Sequence, residues 1–310
     1  MVNLYEVGPG GLAAVEHTEN KAFLIIEAPT HNELQRVSQE FNLPIDLLTA
    51  ALDPDERPRV EFDEGAMLIL ARYPIQAENE DELPYFTHPL GIIIAHNLVV
   101  ALSTREAPFL MDFVEARIKN FNPDNRPRFV LQVLNRINFR FLRFLKDLDI
   151  RAGETERELR TSTNNSDILR LMNVEKCLVY FNTSLRSNYL MLQRLDKTNL
   201  MRNLGEDEQD LFEDLLIDNS QAIEMTKIYT NIVKTQMDAF SSIINNNLNN
   251  VINRLTKITV IIAAPNLVAS IYGMNVLLPA QEDPMAFWYI MATSLGVVGW
   301  IYFFFLEPRR

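Results

Sequence analysis

Two uncharged stretches near the end of the chain decide its fold class: residues 258–281 read ITVIIAAPNLVASIYGMNVLLPAQ, and residues 284–306 read PMAFWYIMATSLGVVGWIYFFFL. The stretches hold 24 and 23 residues, so each is long enough to cross about 30 Å of hydrocarbon as an α-helix. Only the acidic pair Glu282 and Asp283 separates them. The sequence therefore predicts a two-helix transmembrane hairpin. The predicted spans are residues 256–273 and 285–306.

The rest of the chain is strongly acidic. The 310 residues carry 41 Asp and Glu against 29 Lys and Arg, a net charge of −12, of which −11 lies on residues 1–257. A surface of this charge repels phosphates, so we expect no nucleic-acid partner. The single cysteine, Cys177, excludes an intramolecular disulfide and a Cys-based zinc site. The sequence has no glycine-rich phosphate loop and no nucleophile–base pair. We therefore expect that the protein is not an enzyme, that it has no catalytic residues and that it binds no organic cofactor.

Prolines divide the chain into two regimes. Eleven of the 15 prolines fall between residues 9 and 127, and the next is Pro265. Because an interior proline costs a helix about 3 kcal/mol, the gap predicts long helices and the first part predicts mixed structure. We therefore expect an α+β cytoplasmic domain, long helices that pack on a stalk, the stalk helix itself and the transmembrane hairpin. Their predicted bounds are 1–124, 125–205, 206–257 and 258–310.

Short apolar runs predict strands within the first domain. These runs are residues 22–26, 66–70, 91–95 and 98–102. His96 and Asn97 join the last two runs, as in a tight hairpin. Thr30, with Glu33 three residues later, predicts a capping box at the start of a helix. A further helix is expected over residues 108–119.

After residue 125 the chain is predicted to form three helices. The first is expected to end at about Thr161, and the second to start with Ser166 as its cap and to end at about Asn203. The third has no stop signal between Glu206 and Tyr272, which predicts one helix of 67 residues and about 100 Å. A helix of this length is stable only when it packs against partners. It is either a coiled-coil stalk or a stalk that continues into the bilayer as a pore wall.

Charges beside the two spans predict their orientation. Arg254 and Lys257 precede the first span, Arg309 and Arg310 follow the second, and the loop between the spans has no Lys or Arg. Because positive residues favour the cytoplasmic side, we expect both termini in the cytoplasm. The N-terminus has no signal-peptide pattern. The protein is therefore predicted to be a multi-pass protein of the cell membrane.

A polar stripe follows one face of the third helix in steps of three and four residues. Such a stripe on a membrane helix faces a bundle interior or water, and it predicts a water-lined path. Polar contacts between packed helices are the alternative. Near its middle, Ile252 and Leu255 form either a hydrophobic gate, which excludes ions by dewetting, or ordinary helix packing. The stripe comprises Asn245, Asn249, Ile252, Thr256, Thr259, Ala263, Asn266 and Ser270.

The first span ends in the motif YGMN at residues 272–275, and PNLVAS precedes it at residues 265–270. The motif resembles the signature of the CorA family of magnesium transporters. PNLVAS is similar to the PTLIAS stretch that is common before that signature, with Asn266 where Thr is frequent. The whole architecture resembles the family as well: an acidic α/β domain, long helices, a stalk that enters the membrane and a two-span hairpin.

The resemblance implies a homopentameric funnel in the lipid bilayer, with a pore lined by the first span of each chain. Gly273, Met274 and Asn275 would form the selectivity mouth. The implied cargo is hydrated Mg²⁺, with Co²⁺ and Ni²⁺ also carried by some members, and it would move down its electrochemical gradient. The implied pore-lining residues are Asn245, Asn249, Thr256, Thr259, Ala263, Asn266 and Ser270.

The resemblance further implies gating by Mg²⁺ bound between cytoplasmic domains of neighbouring subunits. Asp214, in the segment EDLLIDNSQ at residues 213–221, matches an acidic ligand of that regulatory site, while its partner acid is not placed. Two alternatives remain. One is a Zn²⁺ transporter of the related ZntB branch, which usually replaces the signature's methionine, here Met274. The other is a membrane-anchored helical sensor without a pore.

Overall fold

The structure is a computed structural model, and its contacts divide the chain into two compact units, Met1–Met237 and Asp238–Arg310. We describe each unit by itself. The described residues are all except 1, 9–10, 19–20, 78–82, 116, 119–120, 123, 162–164, 203, 277–278, 280–282 and 304–310.

A seven-stranded sheet forms the centre of the first unit. All neighbouring strands are antiparallel except β3 and β7, which are parallel. The strand order is β2-β1-β3-β7-β6-β5-β4. The strands are β1 (Val2–Gly8), β2 (Gly11–Ala14), β3 (Ala22–Glu27), β4 (Arg59–Asp63), β5 (Ala66–Gln76), β6 (Tyr85–Ala95) and β7 (Leu98–Ser103).

The four strands predicted from apolar runs are confirmed as parts of β3, β5, β6 and β7. They read as continuous apolar runs because the middle of the sheet is buried on both faces. One face packs on two short helices, α1 (His31–Glu40) and α2 (Ile45–Ala50), through residues such as Leu34 and Leu48. On the other face, the Phe23 ring lies 5.0 Å from that of Phe129 in the first long helix.

Two local predictions in this region are confirmed in detail. At the start of α1, the Thr30 backbone N–H donates to Glu33 Oε2 at 2.7 Å, and the Glu33 N–H donates to Thr30 Oγ1 at 3.3 Å, which is the capping box. The β6–β7 hairpin pairs Ala95 with Leu98, so His96 and Asn97 form a two-residue turn. His96 has a positive φ of 27°, as such a turn favours.

β5 and β6 extend well beyond the predicted runs, although each contains a proline. β4 pairs with β5 only up to Leu70, so Pro74 lies where one edge of β5 has no strand partner. A proline is tolerated at such an edge because no ladder hydrogen bond is lost. A side chain takes the place of the missing strand: Asn188 Oδ1 accepts from the Arg72 N–H at 2.9 Å, and Asn188 Nδ2 donates to the Arg72 carbonyl at 2.8 Å.

The helix predicted over residues 108–119 is wrong in length. The chain forms a 3-10 turn at Pro108–Leu110 and then a single helical turn, α3 (Met111–Val114). The Arg117 N–H donates to the Asp112 carbonyl at 2.9 Å. This hydrogen bond joins residues five apart instead of four, and such a turn ends the helix.

The long helices of the first unit are α4 (Arg126–Thr161) and α5 (Asn165–Leu195). The predicted end of α4 is confirmed, but both predicted ends of the second helix are wrong. Ser166 lies inside α5 and is not its cap. α5 also stops well before Asn203, because the Thr198 hydroxyl donates to the Leu195 carbonyl at 2.7 Å and a 3-10 turn, Asn199–Met201, follows.

The last long helix, α6 (Glu206–Tyr272), has the predicted bounds and passes through both units. In the second unit it is followed by α7 (Ala286–Ile301), with a wider π turn at Tyr302 and Phe303. The predicted end of the second span, at 306, lies outside the described residues. Among the described helices, only α6 has an apolar window long enough to cross a membrane, and α7 is a shorter apolar helix.

Candidate ion pathway along α6

The first part of α6 is fixed to α4 at three levels. Arg128 Nη1 donates to Glu208 Oε1 at 2.8 Å, Asn219 Nδ2 donates to Asn138 Oδ1 at 3.0 Å, and Gln236 Nε2 donates to Glu156 Oε2 at 2.7 Å. The partners are 80 or 81 residues apart at every level, so the two helices run parallel and in constant register. Such contacts hold α6 against rotation and sliding up to residue 236. No local pattern in the sequence indicates these contacts, because each joins residues that are distant in the chain.

The first of these three contacts, between Arg128 and Glu208, is an ion pair that is largely shielded from water. The side chains of Arg128 and Glu208 are 17% and 11% exposed, and Asn125 Nδ2 donates to the same Glu208 oxygen at 3.0 Å. A Cβ on Gly205 would lie 2.6 Å from Glu208 Oε2, so a larger residue there would displace the end of the Glu208 side chain. Because Gly205 has no side chain, the backbone just before α6 can lie close to the Glu208 carboxylate.

The middle contact buries two amides. Asn138 and Asn219 are 2% and 0% exposed, and Asn138 Nδ2 also donates to the Leu215 carbonyl at 3.0 Å. Asn219 Oδ1 has no hydrogen-bond partner. A buried, partly satisfied amide pair specifies one register of the two helices, since any slip would leave more polar atoms unpaired.

The eight stripe positions all lie in the second unit, on the exposed surface of α6 within the single chain. At 3.6 residues per turn they fall within a sector of about 100° around the helix axis. The helix geometry therefore places the predicted pore-lining residues on one face. The predicted pore-lining residues are Asn245, Asn249, Thr256, Thr259, Ala263, Asn266 and Ser270, and the eighth stripe position is the predicted gate residue Ile252.

The two threonines of the stripe present acceptors outward. Thr256 Oγ1 donates to the Ile252 carbonyl and Thr259 Oγ1 donates to the Leu255 carbonyl, both at 2.9 Å. Because each hydroxyl proton is used within the helix, the oxygen lone pairs remain available to a donor outside it. The waters around a metal cation point their hydrogens away from the ion, so they are donors of the required kind.

The two residues predicted as a hydrophobic gate are both exposed in the single chain, Ile252 at 49% and Leu255 at 63%. Ile252 lies within the stripe. Leu255 lies about 60° from Ile252 around the helix axis, because three residues make slightly less than one turn. It is therefore at the edge of the stripe. A ring of chains would bring Ile252 to the centre, while Leu255 would meet a neighbouring helix.

The predicted selectivity mouth directly follows the end of α6. The Gly273 N–H donates to the Ala269 carbonyl at 2.9 Å and the Met274 N–H to the Ile271 carbonyl at 3.3 Å, so the helix tightens and ends here. A Cβ on Gly273 would lie 3.4 Å from the nearest atom, the Ala269 carbonyl oxygen, which the chain accommodates with a small adjustment. The fold of the single chain therefore does not require glycine at this position. Gly273, Met274 and Asn275 are all exposed.

Pro265 interrupts the helical hydrogen bonds five residues before the end of the stripe. Lacking an N–H, it cannot donate to the Ile261 carbonyl. At 100° per residue, Pro265 is about 150° from the centre of the stripe. The weakened side of α6 is thus opposite the polar face, and the polar face keeps its helical spacing.

Asp214, the predicted regulatory ligand, is exposed on α6 in the first unit, and its carboxylate forms no ion pair or side-chain hydrogen bond with a described residue. In the part of the chain that the structure describes, no group of three or more His, Cys, Asp and Glu side chains could hold a metal ion. Asp210 and Asp218 lie one turn of α6 before and after Asp214, but the described side chains of the single chain do not complete a metal site there.

Comparison with known proteins gives one consistent relationship. The family model for CorA-like Mg²⁺ transporter proteins matches residues 20–310. The cobalt/magnesium transport protein CorA of Methanocaldococcus jannaschii is 30% identical over 280 residues, which are 87% of this chain and 85% of that protein.

Two solved structures extend the comparison to the fold. The complete structure of the CorA magnesium transporter from the same organism aligns with a TM-score of 0.83 at 24% identity, covering 99% of this chain and 98% of that chain. The cytoplasmic domain of ZntB from Vibrio parahaemolyticus aligns with a TM-score of 0.59 at 13% identity, covering 80% of this chain and 98% of that chain. At these identities the likeness is one of fold alone.

Proposed function

The chain belongs to the family of CorA-like Mg²⁺ transporter proteins, and on this premise we propose that it conducts hydrated Mg²⁺ across the cell membrane. Its fold is that of the family: an α+β soluble domain, a long stalk helix and two apolar helices near the C-terminus. The relative from M. jannaschii is named for cobalt as well as magnesium, which supports Co²⁺ as a second cargo. Ni²⁺ is a third candidate.

The observation that carries this proposal is the exposed polar face of α6, which leads directly to Gly273, Met274 and Asn275. In lipid, an exposed amide such as Asn266 costs free energy unless it faces water or another polar group. If the stripes of several chains surround a common axis, their amides face water and one another instead of lipid. We propose a homopentamer, in keeping with the resemblance, with the first span of each chain as the pore wall.

The chemistry of the pore wall suits an ion that keeps its water. Mg²⁺ dehydrates reluctantly and is held through its waters by oxygen acceptors. The amide oxygens of Asn275 and Asn266, the Gly273 carbonyl and the two threonine hydroxyls are all neutral. They would bind the hydrated ion without the tight hold of a carboxylate ring. The membrane potential supplies the driving force, since a divalent ion gains about 4.6 kcal/mol over 100 mV.

Gating would follow the concentration of cytoplasmic Mg²⁺. Residues 1–257 carry a net charge of −11, so closely packed cytoplasmic domains repel one another. A cation held by the exposed carboxylate of Asp214 and a neighbouring subunit would offset that repulsion and favour a closed ring. When the ion leaves, the domains would separate and the stripe near Ile252 would become wet. Both chain termini would lie on the cytoplasmic side.

The test is Mg²⁺ uptake by the full-length protein in liposomes that enclose a Mg²⁺-sensitive dye, with an inside-negative potential. Wild-type protein should give uptake that rises with the potential. Asn275→Ala should abolish uptake, because five amide acceptors leave the mouth together, while the oligomer elutes unchanged in size-exclusion chromatography. Asn247→Ala is the matched control: at 100° per residue Asn247 lies on the face of α6 opposite the stripe, and uptake should stay at the wild-type level.

Normal uptake by Asn275→Ala would contradict the proposed role of the mouth. Absence of any potential-driven uptake of Mg²⁺, Co²⁺ or Ni²⁺ by the wild-type oligomer would contradict the proposed function. A dimer without uptake would instead support the membrane-anchored sensor.

Zn²⁺ transport is the second candidate, because the fold also matches the cytoplasmic domain of ZntB. Met274 stands against it, since the ZntB branch usually replaces the methionine of the motif. The same liposomes with a Zn²⁺-sensitive dye separate the two candidates. Zn²⁺ uptake that is faster than Mg²⁺ uptake at equal concentrations would favour the ZntB-like activity.

A further inference from the structure

The face of α6 opposite the polar stripe changes from polar to apolar along its length. We call it the outer face, because its positions lie about 160° around the helix axis from the centre of the stripe. Its polar side chains are exposed and end at Lys257, whereas the stripe keeps polar side chains as far as Ser270. The two faces therefore meet different surroundings over the same length of helix. The outer face comprises Asn247, Asn250, Arg254 and Lys257, and then Ile261, Ala264 and Val268.

The change on the outer face marks the level of the membrane surface. A charged side chain such as that of Arg254 is costly in hydrocarbon, whereas Ile261 and Val268 are favoured there. The headgroup layer on each side of a bilayer is about 5–8 Å thick, and the segment from Asn250 to Lys257 spans about 10 Å along the helix. Arg254 therefore lies at the depth of the lipid headgroups. In a ring of chains with the stripes at its centre, the outer face turns towards the bilayer.

Two side chains in this layer offer donors that the described part of the chain does not use. Arg254 and Asn250 are both exposed, and neither forms an ion pair or a side-chain hydrogen bond with a described residue. They are four residues apart, so they are neighbours on the helix surface. Lys257 already interacts within the chain, so the available donors are those of Arg254 and Asn250. Asn247 lies about 10 Å from Arg254 along the helix axis, which is too far to share one small group.

The charge around Arg254 is positive, although the whole chain is acidic. The chain has 41 Asp and Glu residues, but none lies between Asp238 and Glu282. Asp238 precedes Arg254 by 16 residues, or about 24 Å of helix, which is about three screening lengths at physiological salt. The last residues of the chain, which follow the second apolar helix, add Glu307 against two arginines. This part of the protein therefore attracts an anion.

We propose that Arg254 and Asn250 bind the phosphate of an anionic phospholipid in the cytoplasmic leaflet, with one lipid on each chain. The guanidinium fork and the amide N–H groups supply donors to the phosphate oxygens. A lipid fits better than a free phosphate, because Ile261 and Val268 continue the same face into the hydrocarbon and would contact its acyl chains. The inference rests on α6 crossing the membrane with its stripe turned away from lipid, as in the proposed function, and not on which ion passes.

The experiment measures lipid binding to the full-length oligomer in detergent by native mass spectrometry, without divalent cations. The probes are phosphatidylglycerol, which is anionic, and phosphatidylcholine, which has no net charge. Phosphatidylglycerol should bind several-fold more tightly. Arg254→Gln should weaken its binding about fivefold, the value of one cation at an anionic membrane surface. The matched control is Lys234→Gln, which removes an exposed cation about 30 Å earlier in α6 and should change the affinity less than twofold.

Two neighbouring asparagines test which face of α6 is used. Asn250→Ala should weaken binding of phosphatidylglycerol about two- to tenfold, because a hydrogen bond to the phosphate is lost. Asn249→Ala removes the same amide at the same depth but on the polar stripe, and the lipid affinity should stay within about twofold of wild type. Arg254→Lys keeps the charge and should bind more tightly than Arg254→Gln, which separates loss of charge from loss of folding. Inorganic phosphate at millimolar concentration should not displace the lipid.

The proposal is overturned if the two lipids bind equally, if Arg254→Gln and Lys234→Gln leave the same affinity, or if Asn249→Ala and Asn250→Ala weaken binding alike. Displacement of the lipid by millimolar inorganic phosphate would also overturn it, because the ligand would then be the free anion. Mg²⁺ uptake is measured separately in the liposome assay. Uptake by an oligomer that does not prefer phosphatidylglycerol would refute only the lipid site, whereas selective lipid binding by an oligomer without uptake of any ion would refute only the transport activity.

Discussion

The ion pair between Arg128 and Glu208 fixes the start of α6 to α4, and its removal should cost much of the stability of the first unit. Both side chains are more than four-fifths buried, at 17% and 11% exposure, with 2.8 Å between Arg128 Nη1 and Glu208 Oε1. Arg128→Met leaves the Glu208 carboxylate buried with only the hydrogen bond from Asn125. Breaking a buried pair from one side costs about 3–5 kcal/mol, and we expect about 3 here because Asn125 still donates.

This loss can be measured as a melting temperature. For a unit of 237 residues, 1 kcal/mol corresponds to about 2–4 °C, so Arg128→Met should lower the midpoint of thermal unfolding by about 6–12 °C. The control is Arg126→Met, in the same turn of α4, because no described residue forms an ion pair with Arg126. Burial lowers the pKa of Arg126, so removing its charge should shift the midpoint little or raise it.

A double-mutant cycle with Glu208→Gln isolates the pair itself. When both charges are removed, the loss should be smaller than the sum of the single losses by about 1.5–3 kcal/mol, the value of a hydrogen bond to a charged group. Equal shifts for Arg128→Met and Arg126→Met, or additive single effects in the cycle, would refute the argument that this contact anchors α6.

Three further outcomes test the remaining parts of the protein. In a Cys177→Ser background, a cysteine at Thr259 should react with a water-soluble thiol reagent much faster than one at Ile261, because only Thr259 lies on the polar face of α6; equal rates would remove the meaning of the stripe. Protease resistance of Asp214→Ala should depend less on Mg²⁺ than that of wild type, and an unchanged Mg²⁺ midpoint would place the regulatory site elsewhere. Stability should fall as the pH drops below about 6.5, where the unfolded chain protonates His88 but the folded chain, with its lowered pKa, does not; His88→Gln should lose less stability between pH 7.5 and 5.5, and equal losses would show that other groups carry this dependence.

Sequence patterns predicted those elements whose signals are local. The capping box of Thr30 and Glu33, the His96–Asn97 turn and the bounds of α6 each depend on residues within a few positions of one another. β1, β2, β4 and α2 are not indicated by the sequence because they lack the continuous apolar runs that predict β3 and β7, which have only six residues each. The proline in β5 concealed its true length, because the side chain that supports that part of the strand, Asn188, lies more than a hundred residues away.

The candidate site divides in the same way. The polar face of α6 and the motif at its end could be predicted, because helix geometry alone determines which residues share a face. Whether Ile252 and Leu255 gate the path, and which acid joins Asp214, depends on other chains and stays a prediction.

Only the tertiary structure decided how α6 is held. The parallel register of α4 and α6 depends on partners about 80 residues apart, such as Arg128 and Glu208, and sequence spacing gives no indication that they meet. A cavity beside Arg140 is likewise lined by residues of α4, β5, β6 and the loops after β3 and β7, which come together only in the folded chain. Local backbone preference and periodicity are properties of neighbouring residues, whereas pairing of charges and the shape of a cavity are properties of the packed molecule. The sequence by itself therefore determined the two apolar helices near the C-terminus, the length of α6 and its polar face, and the packing of the sheet domain determined the rest.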